Sequence, residues 1–178
     1  MSLRRLVCLA AVLVSLQAFA PAPAMAAAAD PASFITSIYA HGHEEDVWTQ
    51  LLTRGKRGAW VSRDLAALWD KCDALAKKSK DEMGAFDADV LTNSQIGWES
   101  YKGFAVSVVS QGAGRAAVDS RLQVGPNTSA PKFDSDNVIH FDLVEEGGAW
   151  RIDNVRSTVD GKPWSARDML KDYLKGAR

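Results

Sequence analysis

Two histidines and three carboxylates crowd six positions of this chain, His41, His43, Glu44, Glu45 and Asp46. Imidazoles and carboxylates together are the donors that divalent transition metals accept. The order His-Gly-His-Glu-Glu-Asp, however, lacks the i, i+4 pair that sets two ligands on one helix face, and no distant ligand pair completes a set. The segment is therefore expected to be exposed polar chain at a helix boundary, with no metal and no other cofactor.

His140 and Asp153 offer a different chemistry, since a carboxylate beside an imidazole is a familiar general-base arrangement. They lie on two alternating runs, Val138 to Val144 and Ala149 to Val155, around Glu145-Glu146-Gly147-Gly148. A two-residue Gly-Gly turn would oppose Asp142 to Asp153. A four-residue loop instead opposes Asp142 to Arg151 and His140 to Asp153, and charge favours that register. The alternation then places the pair on the face away from Trp150 and Ile152, where a surface or interface ion pair is the expected role.

A third cluster, Asp87, Asp89, Asn93 and Gln95, is bracketed by Phe86, Val90, Leu91, Ile96 and Trp98. Short polar side chains of this kind tie a long connection to backbone groups, or else rim a cavity. Ligand contact is expected at Asp87, Asp89, Asn93, Gln95 and Trp98. No G-x-S-x-G nucleophile turn and no glycine-rich phosphate loop occurs, and no catalytic residue is expected.

These residues must be positioned by helices first and strands afterwards. Asp30-Pro31 is a helix start, because Asp caps and Pro gives up an N–H that has no partner in the first turn. Phe34, Ile35, Ile38 and Tyr39 follow at helical spacing, ending near Gly42. A second amphipathic element holds Val47, Trp48, Leu51 and Leu52, and Arg54 to Gly58 reads as a solvated basic loop. The clearest helix opens at Ser62 and carries Leu65, Leu68, Trp69, Cys72, Leu75 and Ala76 on one face, Asp70 and the lysines on the other, with Gly84 at its end. Cys72 then points inward as a small hydrophobe rather than a reactive thiol.

From Gly103 the period becomes two. Phe104, Val106 and Val108 alternate up to a Gly112-Ala113-Gly114 turn, and Ala116, Val118, Ser120, Leu122 and Val124 alternate after it. Gly125 to Asp136 has no apolar rhythm and reads as a loop, with a formal glycosylation sequon at Asn127. After the 138 to 155 hairpin, Trp164, Met169, Leu170, Tyr173 and Leu174 form a terminal helix capped by Ser165. The expected fold is α+β, a four-stranded antiparallel sheet with N-terminal helices on one face and a short C-terminal helix.

The start of the chain bears on compartment. Arg4 and Arg5 precede an apolar run from Leu6 to Leu16, and Ala24-Met25-Ala26 offers small residues for cleavage. Residues 1–26 therefore read as a signal peptide and 27–178 as one domain, exported to the periplasm. Removing 26 of the 178 residues leaves 152, a length that suits one core. The chain has 21 basic and 22 acidic residues, and losing Arg4 and Arg5 leaves 19 against 22, which disfavours nucleic acid or anionic lipid as a partner. Cys8 departs with the signal and Cys72 stays alone, so no internal disulfide is expected. No later stretch reaches the length of a membrane span.

PASFITSIYA near the mature N-terminus, FDADVLTNSQIGW at Phe86 to Trp98, GGAWRIDNV at Gly147 to Val155 and a helix beginning SARDML together resemble the family called domain of unknown function 3828. The similarity spans nearly all of the mature chain. It implies a nuclear-transport-factor-2-like cone, helices packed into the concave face of a curved antiparallel sheet, and an exported or envelope setting. That superfamily hosts isomerases, dehydratases, peptide-binding modules and subunits that only dimerise. The reading that joins resemblance and residues is a periplasmic, non-enzymatic binding or interaction module. Its partner is an envelope protein or a small apolar ligand, with a homodimer possible. The competing reading is a cofactor-independent enzyme using a His/Asp acid–base pair in the cone.

Overall fold

Asp30 opens the first helix as the sequence predicts: its carboxylate accepts the Ser33 N–H at 2.9 Å, satisfying one of the donors a helix start leaves free. The computed structural model describes residues 30–41, 51, 53–81, 83–86, 88–93, 101–125 and 134–176. Residues 1–26, the cluster from His43 to Asp46, Val47, Trp48, Leu52, Asp87, Gln95, Trp98 and the sequon at Asn127 lie outside the described residues.

Helix α1 is Pro31–His41 and helix α2 is Arg63–Ser79. Ser62 caps α2, its hydroxyl accepting the Leu65 N–H at 3.1 Å. The helix stops at Lys80 rather than running to Gly84. Lys80 takes the left-handed conformation at φ 58° and returns its N–H to the Ala76 carbonyl, while Gly84 shapes the turn beyond.

The basic stretch before α2 is only partly solvated. Arg54 and Lys56 are exposed, but Arg57 is 1% exposed, in a single 3-10 turn from Arg57–Ala59. Its guanidinium lies 4.6 Å from the Trp69 ring centroid and pairs with Asp73, with Asp70 at 3.6 Å. A buried charge needs such company, so Asp70 and Asp73 serve Arg57 instead of standing on a free solvent face.

The sheet has five strands, one more than the sequence pattern predicts: β1 Tyr101–Gly112, β2 Arg115–Val124, β3 Val138–Glu146, β4 Ala149–Val159 and β5 Lys162–Ser165. They pair antiparallel in chain order. The extra strand follows an Asp160-Gly161 turn with both residues at positive φ, a strong hairpin signal that Pro163 hides. An edge strand tolerates proline because one of its sides has no ladder to feed. A 3-10 turn, Asp134–Asn137, precedes β3, and helix α3, Ala166–Gly176, closes the chain.

The β3–β4 hairpin departs from the expected register. Glu146 faces Ala149 across a two-residue Gly147-Gly148 turn with both φ values positive, at 62° and 79°. The like-charge clash that argued against this turn never arises, because a bulge at Asp153 shifts the ladder. Leu143 faces Ile152, but Asp142 faces Asn154 and His140 faces Arg156. Asp142 then forms a bidentate pair with Arg156 at 2.8 and 2.9 Å.

One face of the sheet carries the core. Ile35, Ile38 and Tyr39 of α1, Leu65, Trp69 and Cys72 of α2, and Leu170 of α3 pack with Val118, Ile139, Phe141, Leu143, Trp150, Ile152 and Val155. Leu68 packs at the margin of this cluster, half-buried. The outer edge of β4 is shared: β5 pairs with Arg156 to Val159, and Trp60 to Ser62 pair with Ile152, at 2.8 and 2.9 Å. No helix among the described residues is long and apolar enough to cross a membrane.

Candidate functional site

The polar cluster between α2 and β1 is a clamp. Asp89 Oδ1 accepts the N–H groups of Leu91 and Thr92 at 2.6 and 3.3 Å, an Asx turn. Two tyrosines fasten the turn, Tyr39 donating to the Leu91 carbonyl at 2.8 Å and Tyr101 to the Thr92 carbonyl at 3.1 Å. Burial pushes the Asp89 carboxyl up to about 6, against the pull of those backbone N–H donors.

Asn93 sits in the left-handed region at φ 56°, a conformation asparagine tolerates better than most residues. Its amide donates to the carbonyls of Asp136 and Thr158 at 3.0 and 2.6 Å, and its Oδ1 accepts the Trp164 indole N–H at 2.8 Å. One side chain thereby ties this turn to the 3-10 turn, to β4 and to β5.

That junction borders a cavity of about 400 Å³, within the size range of small-molecule sites. Phe86, Ala88 and Val90 come from the clamp segment, Val159 and Pro163 from the last hairpin, and Trp164 and Met169 from β5 and α3. Asn93 is on the wall, but both of its donors and its oxygen are engaged. The charged lining residues, Asp160 and Lys162, flank one exposed turn. Such a space offers dispersion contacts and the release of water from apolar surface, with charge only at the rim.

Of the expected ligand contacts, Asn93 lines this cavity, Asp89 is half-buried in the Asx turn and is not on its wall, and Asp87, Gln95 and Trp98 fall outside the described residues. Trp164, Met169 and Val159 also line the wall and are not legible in the sequence as site residues, because they come from β5, α3 and the end of β4, which meet only through tertiary packing.

The proposed His140–Asp153 pair does not form. His140 Nδ1 lies 2.7 Å from Asp119 Oδ1 on β2, on the outer face of the sheet. Asp153, at its bulge, has other partners. Its Oδ1 accepts the Ser62 hydroxyl at 2.7 Å and pairs with the Arg167 guanidinium, which also donates to the Asp153 carbonyl. This carboxylate joins the start of α2 to the start of α3. Asn154 Oδ1 beside it accepts the Arg167 N–H at 3.1 Å and caps α3.

A second hollow, about 510 Å³, is lined by Ser110, Arg115, Ala117, Asp142, Asp153 and Arg167 among others. Its charges answer one another: Asp142 with Arg156, Asp153 with Arg167, and Arg115 at 4.0 Å from Asp153. Among the described residues no group of three His, Cys, Asp or Glu is placed to hold a metal ion. Cys72 donates its thiol to the Leu170 carbonyl at 3.3 Å, and burial, with Asp73 nearby, pushes it up to about 11.

The chain matches no family model, and no curated protein or solved structure matches it significantly.

Proposed function

We propose that this chain is an exported, non-enzymatic binding module of the nuclear-transport-factor-2-like kind that holds a small apolar ligand between the Asp89–Asn93 clamp, the last hairpin and α3. The single observation that carries the reading is the apolar cavity walled by Phe86, Val90, Trp164 and Met169. Its buried polar neighbours are spent on holding the walls together, so what the cavity offers an occupant is surface. Lys162 at the rim suits an anionic head group on an apolar body. Export rests on residues 1–26. The curved cone and the likeness to domain of unknown function 3828 rest on the four sequence segments that carry the resemblance, two of which supply the clamp and the β3–β4 turn.

The test uses 1-anilinonaphthalene-8-sulfonate, an aromatic anion whose fluorescence rises in apolar surroundings. The folded chain is expected to bind it saturably at one site, and Ala88→Trp, which fills the cavity, to abolish that binding while leaving the unfolding midpoint near the parent's. Equal binding by the parent and Ala88→Trp would place the probe elsewhere and remove the support for this site.

A further inference from the structure

We propose that β1 is a dimerisation edge, pairing antiparallel with β1 of a second copy about a two-fold axis between Val108 and Val109. β1 is the first strand of the sheet order, with β2 on one side and, among the described residues, no strand on the other. Its last six residues, Ser107 to Gly112, are all exposed, although Ala116 and Val118 opposite them on β2 are buried. Val108 and Val109 are 40% and 62% exposed. A strand edge of this length is a template for pairing, and proteins that keep such an edge single blunt it with charge or proline. From Gly103 to Gly114 there is neither, in a chain that is 24% charged.

The bulge at Val109 is the detail that selects a second copy. Ser107 faces Asp119 and Ser110 faces Ala117, two positions apart on β2, so the extra residue brings both serines to one face of the sheet. Likewise Val106 faces Ser120 and Gln111 faces Ala116, which puts Val106 and Gln111 together on the other face. Opposed residues in an antiparallel ladder must share a face. Only because of the bulge does a two-fold at 108/109 satisfy that rule, setting Ser107 against Ser110 of the partner subunit and Val106 against Gln111 of the partner subunit. Valine meets valine at the axis, no charge is buried, and Lys102 lies outside the ladder. A charged partner would find nothing on this edge to answer it.

Sedimentation velocity on the purified chain, with Val109→Lys alongside, tests the surface. The parent is expected to be a dimer, and Val109→Lys, at a position that loses no buried contact in the monomer, to raise its dissociation constant at least about tenfold with an unchanged unfolding midpoint. Register is tested by mixing a Ser107→Cys chain with a Ser110→Cys chain under mild oxidation, where the mixture should cross-link and either chain alone should not. A parent that stays monomeric at about 100 micromolar, or a dimer that Val109→Lys leaves intact, would overturn the proposal.

Discussion

Asp89 shows how a single side chain can hold together a turn whose neighbours line a cavity. Its half-buried carboxyl is raised by desolvation to about 6 from the usual 3.8, so the native state holds the proton more tightly than the unfolded chain does. This contribution to stability is therefore complete below about pH 4, is lost as pH rises toward 6, and stays lost above that, a change on the order of 2 to 3 kcal/mol. Asp89→Asn keeps an oxygen for the Leu91 and Thr92 N–H groups and removes the titration. Urea unfolding at pH 4 and pH 7 should show the parent losing stability relative to the variant between those values. A constant difference between the two proteins would contradict this account of the clamp. Cys72, buried and raised to about 11, should react with a thiol reagent at least about a hundredfold more slowly in the folded chain than in urea. Equal rates would show an accessible thiol.

Among the elements, the helices were readable because their cause is local. Asp30 and Ser62 cap α1 and α2 where the sequence places them, and the apolar spacing from Leu65 to Ala76 states which face of α2 turns inward. The β3–β4 hairpin was readable as a hairpin and misread in register. Charge distinguishes only between two regular ladders, whereas the hairpin adopts a bulge whose partners, Ser62 and Arg167, are 91 and 14 residues away in sequence. No local pattern announces that. The energetic order is then opposite to what an exposed His140–Asp153 pair would give. Asp153→Ala should cost roughly 2 to 3 kcal/mol, because it strands the hydroxyl that caps α2 and an arginine that is three-quarters buried. Arg156→Ala, on the open face, should cost at most about 1 kcal/mol. Chemical denaturation of the two variants settles the order, and a larger loss for Arg156→Ala would reverse it.

For the molecule as a whole, one packed layer of helices on one face of an antiparallel sheet accounts for both stability and site. Trp150, near the start of β4, is buried in the core at 4% exposure, so Trp150→Ala should cost about 3 to 5 kcal/mol in urea. A variant as stable as the parent would mean the wrong face is inside. The candidate cavity belongs to this scale too, since its walls come from the α2–β1 connection, the last hairpin and α3, joined by Asn93. The polar cluster was visible in the sequence as a feature, but its partnership with Trp164, 71 residues on, was not. Two methionines make the proposed uptake of an apolar ligand by this cavity directly measurable. Once residues 1–26 are removed, Met83 and Met169 are the methionines left, the first 65% exposed and away from the cavity, the second on its wall. With both methyl groups labelled, titration with 1-anilinonaphthalene-8-sulfonate should shift the Met169 methyl resonance saturably and leave Met83 in place. Movement of Met83 alone, or of neither, would contradict the account.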